Sequence, residues 1–266
     1  MKRILSILSV ASLFVLGSCE KVIDIDLNSA DPKLVIECLL SDTAGPCKVS
    51  LTRTVDYFDG GNSPGVSGAT VVLSDNAGNT EQLSEVTPGN YIATTIQGTP
   101  GRTYTLSVTV DGKTYTSQST MQQPVPIDTI FAEYFPPIFG ADGGYVTTAP
   151  VQDPAGVANF YRQRVFINGV LQDSAGIFFI ADDQLSDGRY VQFPLFPVIA
   201  QLGDTVTVQM WLLEEKAYRY IEALSLISGG TDPTQAAPAN PDYQFTNDAL
   251  GYFMAAPVVK RSFVVQ

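Results

Sequence analysis

The chain has 266 residues, with 15 Lys and Arg against 27 Asp and Glu, a formal charge of −12 at neutral pH, and no histidine. The acid excess argues against nucleic acid as a partner and keeps the body away from anionic lipid head groups. Without histidine, Ser-His-Asp and Cys-His centres and His-ligated zinc are excluded, which leaves carboxylate pairs, oxygen-ligated cations and Ser-Lys chemistry as routes to reactivity.

Residues 1–18 read as an export signal. Lys2 and Arg3 precede the apolar run Ile4 to Leu16, and the small residues Gly17 and Ser18 stand before Cys19. At helical rise that run covers roughly 20 Å, short of the roughly 30 Å hydrocarbon core, so it is no transmembrane anchor. The order Leu16-Gly17-Ser18-Cys19 resembles a bacterial lipobox, which implies cleavage before Cys19, acylation of Cys19 and attachment to a membrane through lipid. Residues 19–32 then form a tether or a first edge strand. Ile23, Ile25 and Leu27 fall on one side, and Asp24 and Asp26 on the other.

From Lys33 to Met121 short alternating segments are broken by turn chemistry, the pattern of an immunoglobulin or fibronectin-like β-sandwich. Strands are expected at Leu34–Leu40, Cys47–Thr54, Ala69–Ser74, Thr80–Glu85, Asn90–Thr95, Arg102–Val110 and Lys113–Thr120. Asp111-Gly112 supplies two positive-φ residues for a tight hairpin. Cys38 and Cys47 lie in the arms of the first hairpin. With Leu40 opposite Cys47 they are diagonal neighbours that a one-residue bulge would bring level, so they are either a disulfide or two small buried apolar residues.

Residues 122–128, with Pro124 and Pro126, form a stiff connector. Residues 129–266 are a second β-rich domain, with strands at Ile130–Phe135, Tyr145–Ala149, Asn159–Ile167, Ala175–Ala181, Asp204–Leu213, Ala249–Phe253 and Val258–Val265. One amphipathic helix is expected near residues 214–228, where Ala217, Tyr220, Ile221, Leu224 and Ile227 recur at helical spacing. Glu214 and Glu215 at its start offset the helix dipole.

Acidic turns at Asp182-Asp183 with Asp187-Gly188, and at Asp56 with Asp59-Gly60-Gly61-Asn62, carry oxygen ligands of the kind calcium takes. Neither matches the spacing of a recognised loop, so both are read as solvated turns, and no metal and no cofactor is expected. Aromatic residues beside loops rich in Pro and Gly, namely Tyr57, Phe58, Tyr134, Phe135 and Phe139 with Phe131 and Tyr145, are the candidate ligand or partner surface. The same rings would also suit an interface between the two β domains.

Several segments together carry a family resemblance. They are Cys19 to Ile25, Leu34-Val35-Ile36-Glu37, Arg53-Thr54-Val55-Asp56-Tyr57-Phe58, Gly68-Ala69-Thr70-Val71, Pro100 to Leu106, Gly203-Asp204-Thr205-Val206, the tyrosine-bearing helix and Ala249-Leu250-Gly251-Tyr252-Phe253. They resemble Bacteroidota outer-membrane lipoproteins of the domain of unknown function family 4249. Cys38 and Cys47 depart from that pattern, which favours their pairing. The resemblance implies a non-catalytic accessory or binding protein, lipid-anchored at the outer membrane beside a TonB-dependent receptor, with a glycan or peptide as the ligand. The alternatives are a structural envelope adaptor without ligand and a carboxylate-dependent hydrolase, the latter needing two carboxylates about 5 to 9 Å apart in a cleft.

Overall fold

The computed structural model describes residues 31–55, 63–137, 143–172, 178–228 and 240–266. In chain order the strands are β1 (Leu34–Ser41), β2 (Cys47–Arg53), β3 (Thr70–Asp75), β4 (Thr80–Gln82), β5 (Ser84–Thr87), β6 (Asn90–Ala93), β7 (Thr103–Val110) and β8 (Lys113–Thr120). There follow β9 (Phe131–Phe135), β10 (Gly144–Gln152), β11 (Phe160–Ile167), β12 (Val170–Leu171), β13 (Phe179–Asp182), β14 (Tyr190–Ala200) and β15 (Thr205–Leu213). Helix α1 (Glu215–Ser228) precedes β16 (Leu250–Ala256) and β17 (Val258–Val264). The protein is mainly β with one helix, as the alternation of apolar and polar residues predicts.

The first sandwich packs the sheet β16-β1-β2-β6-β5 on the sheet β4-β3-β7-β8. Strict alternation builds its core: Ile36, Leu51, Leu73, Tyr104, Leu106 and Val108 point inward and are fully buried, while their chain neighbours point out. Asp111 and Gly112 both take positive φ, 52° and 73°, at the turn joining β7 to β8, as a tight hairpin requires.

The expected strand Thr80–Glu85 is two strands. Leu83 is buried and donates its N–H to Val71 O at 2.9 Å, and on either side of it β4 joins one sheet and β5 the other. Burying one leucine at the corner lets the chain change sheets without leaving the core.

β16 is the second departure. The segment expected to close the second domain lies parallel to β1, with Val35 opposite Leu250 and Ser41 opposite Ala256, and forms an edge of the first sandwich. Gly251 makes this approach fit. Its φ is +99°, and a Cβ there would stand 2.7 Å from Ile36 C and 2.8 Å from Ile36 N. β16 is buried on both faces: Phe253 and Ala255 enter the first core, and Met254 and Ala256 pack with Trp211, Ala217, Tyr218 and Ile221 beneath α1.

A second core lies between the sheet β14-β10-β9 and the sheet β12-β11-β15-β17, to which β13 adds on β11. β14 is absent from the sequence reading because Pro194 and Pro197 interrupt its apolar run. The sheet absorbs Pro197 in a bulge, where the register jumps between Val146 opposite Ile199 and Thr148 opposite Pro194. Glu214 binds the start of α1 to the first sandwich, its Oε2 accepting from Thr120 N at 3.1 Å. Residues Pro32–Gln266 form one compact unit, and among the described residues no helix is long and apolar enough to cross a membrane.

Candidate functional site

Two of the five aromatic residues singled out from the sequence lie in the description, and both stand at one sheet edge. Tyr134 and Phe135 end β9, which is the outermost strand of β14-β10-β9. Their side chains are 60% and 40% exposed, high values for large apolar residues in a paired strand. Tyr57, Phe58, Phe139 and Cys19 lie outside the described residues.

Because successive strand residues face opposite ways, Tyr134 and Phe135 extend the edge on both of its faces. On one face Tyr134 stands opposite Tyr145 of β10, and their rings meet edge-on with centroids 5.6 Å apart. On the other, Phe135 meets Phe196 of β14, with centroids 5.5 Å apart and planes inclined at 51°. Gly144 stands opposite Phe135 across the ladder. A Cβ there would fall 2.7 Å from Ala200 O, so the backbone closes up and the flanking rings carry the surface. Phe196 lies in the β14 bulge and is 49% exposed, although its strand neighbour Leu195 is fully buried. Sequence reading missed Phe196 because its strand was itself hidden by the prolines.

These rings form two pairs around a strand whose outer main-chain edge is open among the described residues. Each pair presents polarisable faces fixed by a neighbour, which lowers the entropy lost on contact. The open edge adds N–H and C=O groups to which an extended chain can hydrogen-bond.

A wider cleft of about 760 Å³ runs between α1 and residues 240–244. Its charged walls are already compensated: Arg219 pairs with Glu215 at 3.7 Å and Glu222 at 3.1 Å, and Lys216 with Glu214 at 3.5 Å. Of its charged lining residues only Asp242 has no ion-pair partner among the described residues.

Cys38 and Cys47 are buried in the first core as two thiols in contact. No bulge brings them level, since Leu39 stands opposite Lys48 and Cys38 opposite Val49, so the pair remains diagonal. The hydrogen bond to Cys47 and burial push the Cys38 thiol well above its ordinary range. Of the acidic turns, Asp56 and Asp59 to Asn62 lie outside the described residues, whereas Asp182, Asp183 and Asp187 lie between β13 and β14.

A family model described as Domain of unknown function (DUF4249) matches residues 20–262. No curated protein matches the chain.

Proposed function

The chain belongs to that family of unknown function, DUF4249, and from this premise we propose that it is a lipid-anchored accessory protein of the bacterial cell envelope that binds a protein partner through the aromatic edge of β9. The observation that carries the reading is the pairing of Tyr134 with Tyr145 and of Phe135 with Phe196 around an open strand edge. Paired aromatics beside unpaired main-chain groups suit an extended protein segment, which adds as a further strand and seats alternate side chains against the rings. Anchoring rests on Leu16-Gly17-Ser18-Cys19 behind an apolar run. An outer-membrane receptor of the TonB-dependent class is the partner proposed.

Affinity purification of the chain from solubilised membranes tests this. A receptor recovered in stoichiometric amount, and lost when Phe135 and Phe196 are replaced by alanine, supports the reading. Recovery unaffected by those changes, or recovery of the chain alone, refutes the edge as the partner surface. For the anchor, Cys19→Ser is expected to move the chain to the soluble fraction, and its persistence in the membrane fraction refutes lipid attachment.

A further inference from the structure

At the opposite end of β10 from Tyr145, about eight residues or roughly 26 Å along the strand, three aspartates converge. Asp153 follows β10, and Asp183 and Asp187 lie in the turn between β13 and β14. Asp153 and Asp183 are 2% and 5% exposed, and one carboxylate oxygen from each of the three lies within 4.8 Å of the others. Among the described residues none of the three is in an ion pair. Uncompensated carboxylates this close and this buried repel one another and lose hydration.

A second observation comes from the neighbouring strand. Asn159 is 5% exposed, and its side-chain Oδ1 has no hydrogen-bond partner. Its main-chain N–H donates to Asp183 Oδ2 at 2.8 Å. The β11–β13 ladder pairs Phe160 with Asp182, so Asn159 and Asp183 are opposed one step further on, with side chains on one face. Tyr161 shares that face, and its hydroxyl donates to Asp153 Oδ1. The orphaned carbonyl oxygen of Asn159 is therefore buried on the face that carries the contacts to Asp183 and Asp153.

We propose that Asp153, Asp183, Asp187 and the Asn159 side-chain oxygen form a calcium-binding site. Oxygens bound to one calcium ion at about 2.4 Å stand at most about 4.8 Å apart, a limit that one oxygen from each of the three carboxylates meets. The donors are hard oxygens, three of them from carboxylates, the kind that calcium takes in a flexible shell and that magnesium accepts only in a stricter octahedron. The scaffold is already fixed. Gly188 N donates to Asp153 Oδ2 at 2.9 Å and Gly156 N to Asp187 Oδ1 at 2.7 Å, and Asp153 N donates to Arg189 O at 3.0 Å. Both Asp153 oxygens, Asp183 Oδ2 and Asp187 Oδ1 each accept one hydrogen bond, and the remaining lone pairs are left for an ion, with water completing the shell.

The test uses the full chain in detergent, stripped of divalent ions. Calcium chloride at about 10 mM should raise the melting temperature by about 2–5 °C, and magnesium chloride by less than half of that. Terbium should give luminescence sensitised by Tyr161 that calcium displaces. Asp187→Asn keeps an oxygen for Gly156 N while removing the charge of an exposed side chain, so it should fold normally and lose both responses. Asn159→Ala should weaken them about tenfold in calcium concentration. No calcium shift and no terbium signal, an equal response to magnesium, or a response that Asp187→Asn leaves intact overturns the site.

Discussion

Cys38 and Cys47 stand diagonally across β1 and β2 with their Sγ atoms 3.6 Å apart, one Cys47 Sγ contact reaching back to Leu39 O at 3.7 Å. Both thiols are sealed in the core, so in chain purified with a reductant neither should react with a thiol reagent until the protein unfolds. The pH consequence follows from the raised native value of Cys38. Its contribution to stability is complete below the unfolded thiol pKa of about 8.5 and is lost as pH rises from there toward the native value. The urea midpoint should therefore fall between about pH 8 and pH 10, and fall less in Cys38→Ala.

Glu81 gives the opposite pH signature. Its carboxylate accepts from Thr94 N at 2.6 Å, Thr95 N at 3.0 Å and Ile96 N at 2.8 Å. Partial burial alone would raise its pKa, but these donors outweigh burial and hold it at about 2. Its contribution is complete above about pH 4.5 and disappears as pH falls through about 2. Glu81→Gln should cost about 1–2 kcal/mol at neutral pH, and urea unfolding should show the difference from wild type closing toward pH 2.

Gly251→Ala should lower stability by about 3 kcal/mol, because a methyl group would enter the Ile36 backbone at a φ that L-residues avoid. Gly112→Ala is the control: φ is +73° there and nothing lies within 4 Å of the added Cβ, so only the conformational cost of about 1 kcal/mol remains. Thermal unfolding of the two variants separates steric clash from backbone preference, and equal losses would refute the close β1–β16 approach.

Tyr134→Ala and Phe196→Ala remove exposed rings and should leave the melting temperature within about 2 °C. If the β9 edge is the partner surface, each should weaken binding by at least about 30-fold, the scale of an interface anchor. Titration of purified partner against the variants measures this.

Much of the architecture was legible because alternation is a local signal. Tyr104, Leu106 and Val108 declare their buried face without reference to any other strand, and Asp111-Gly112 declares its turn. What was hidden depends on distant partners. Leu83 marks a change of sheet only once Val71 is beside it, and Pro197 becomes tolerable only within the bulge facing β10. The acidic turn was visible at Asp182, Asp183 and Asp187. Its local spacing leaves out Asp153, which follows β10, and Asn159, which precedes β11, and no local motif can record residues that meet only through the β11–β13 ladder and the turn before β14.

The parallel pairing of β1 with β16 joins Val35 to Leu250, so nearly the whole polypeptide separates two hydrogen-bonded neighbours. The first sandwich cannot assemble fully as it leaves the ribosome: one edge of β1 stays unpaired until the last strands have been made. Contacts so far apart in sequence slow folding, and an exposed apolar strand edge invites aggregation during the wait. Closure of the first sandwich is thus a late step, taken only once β16 has been made.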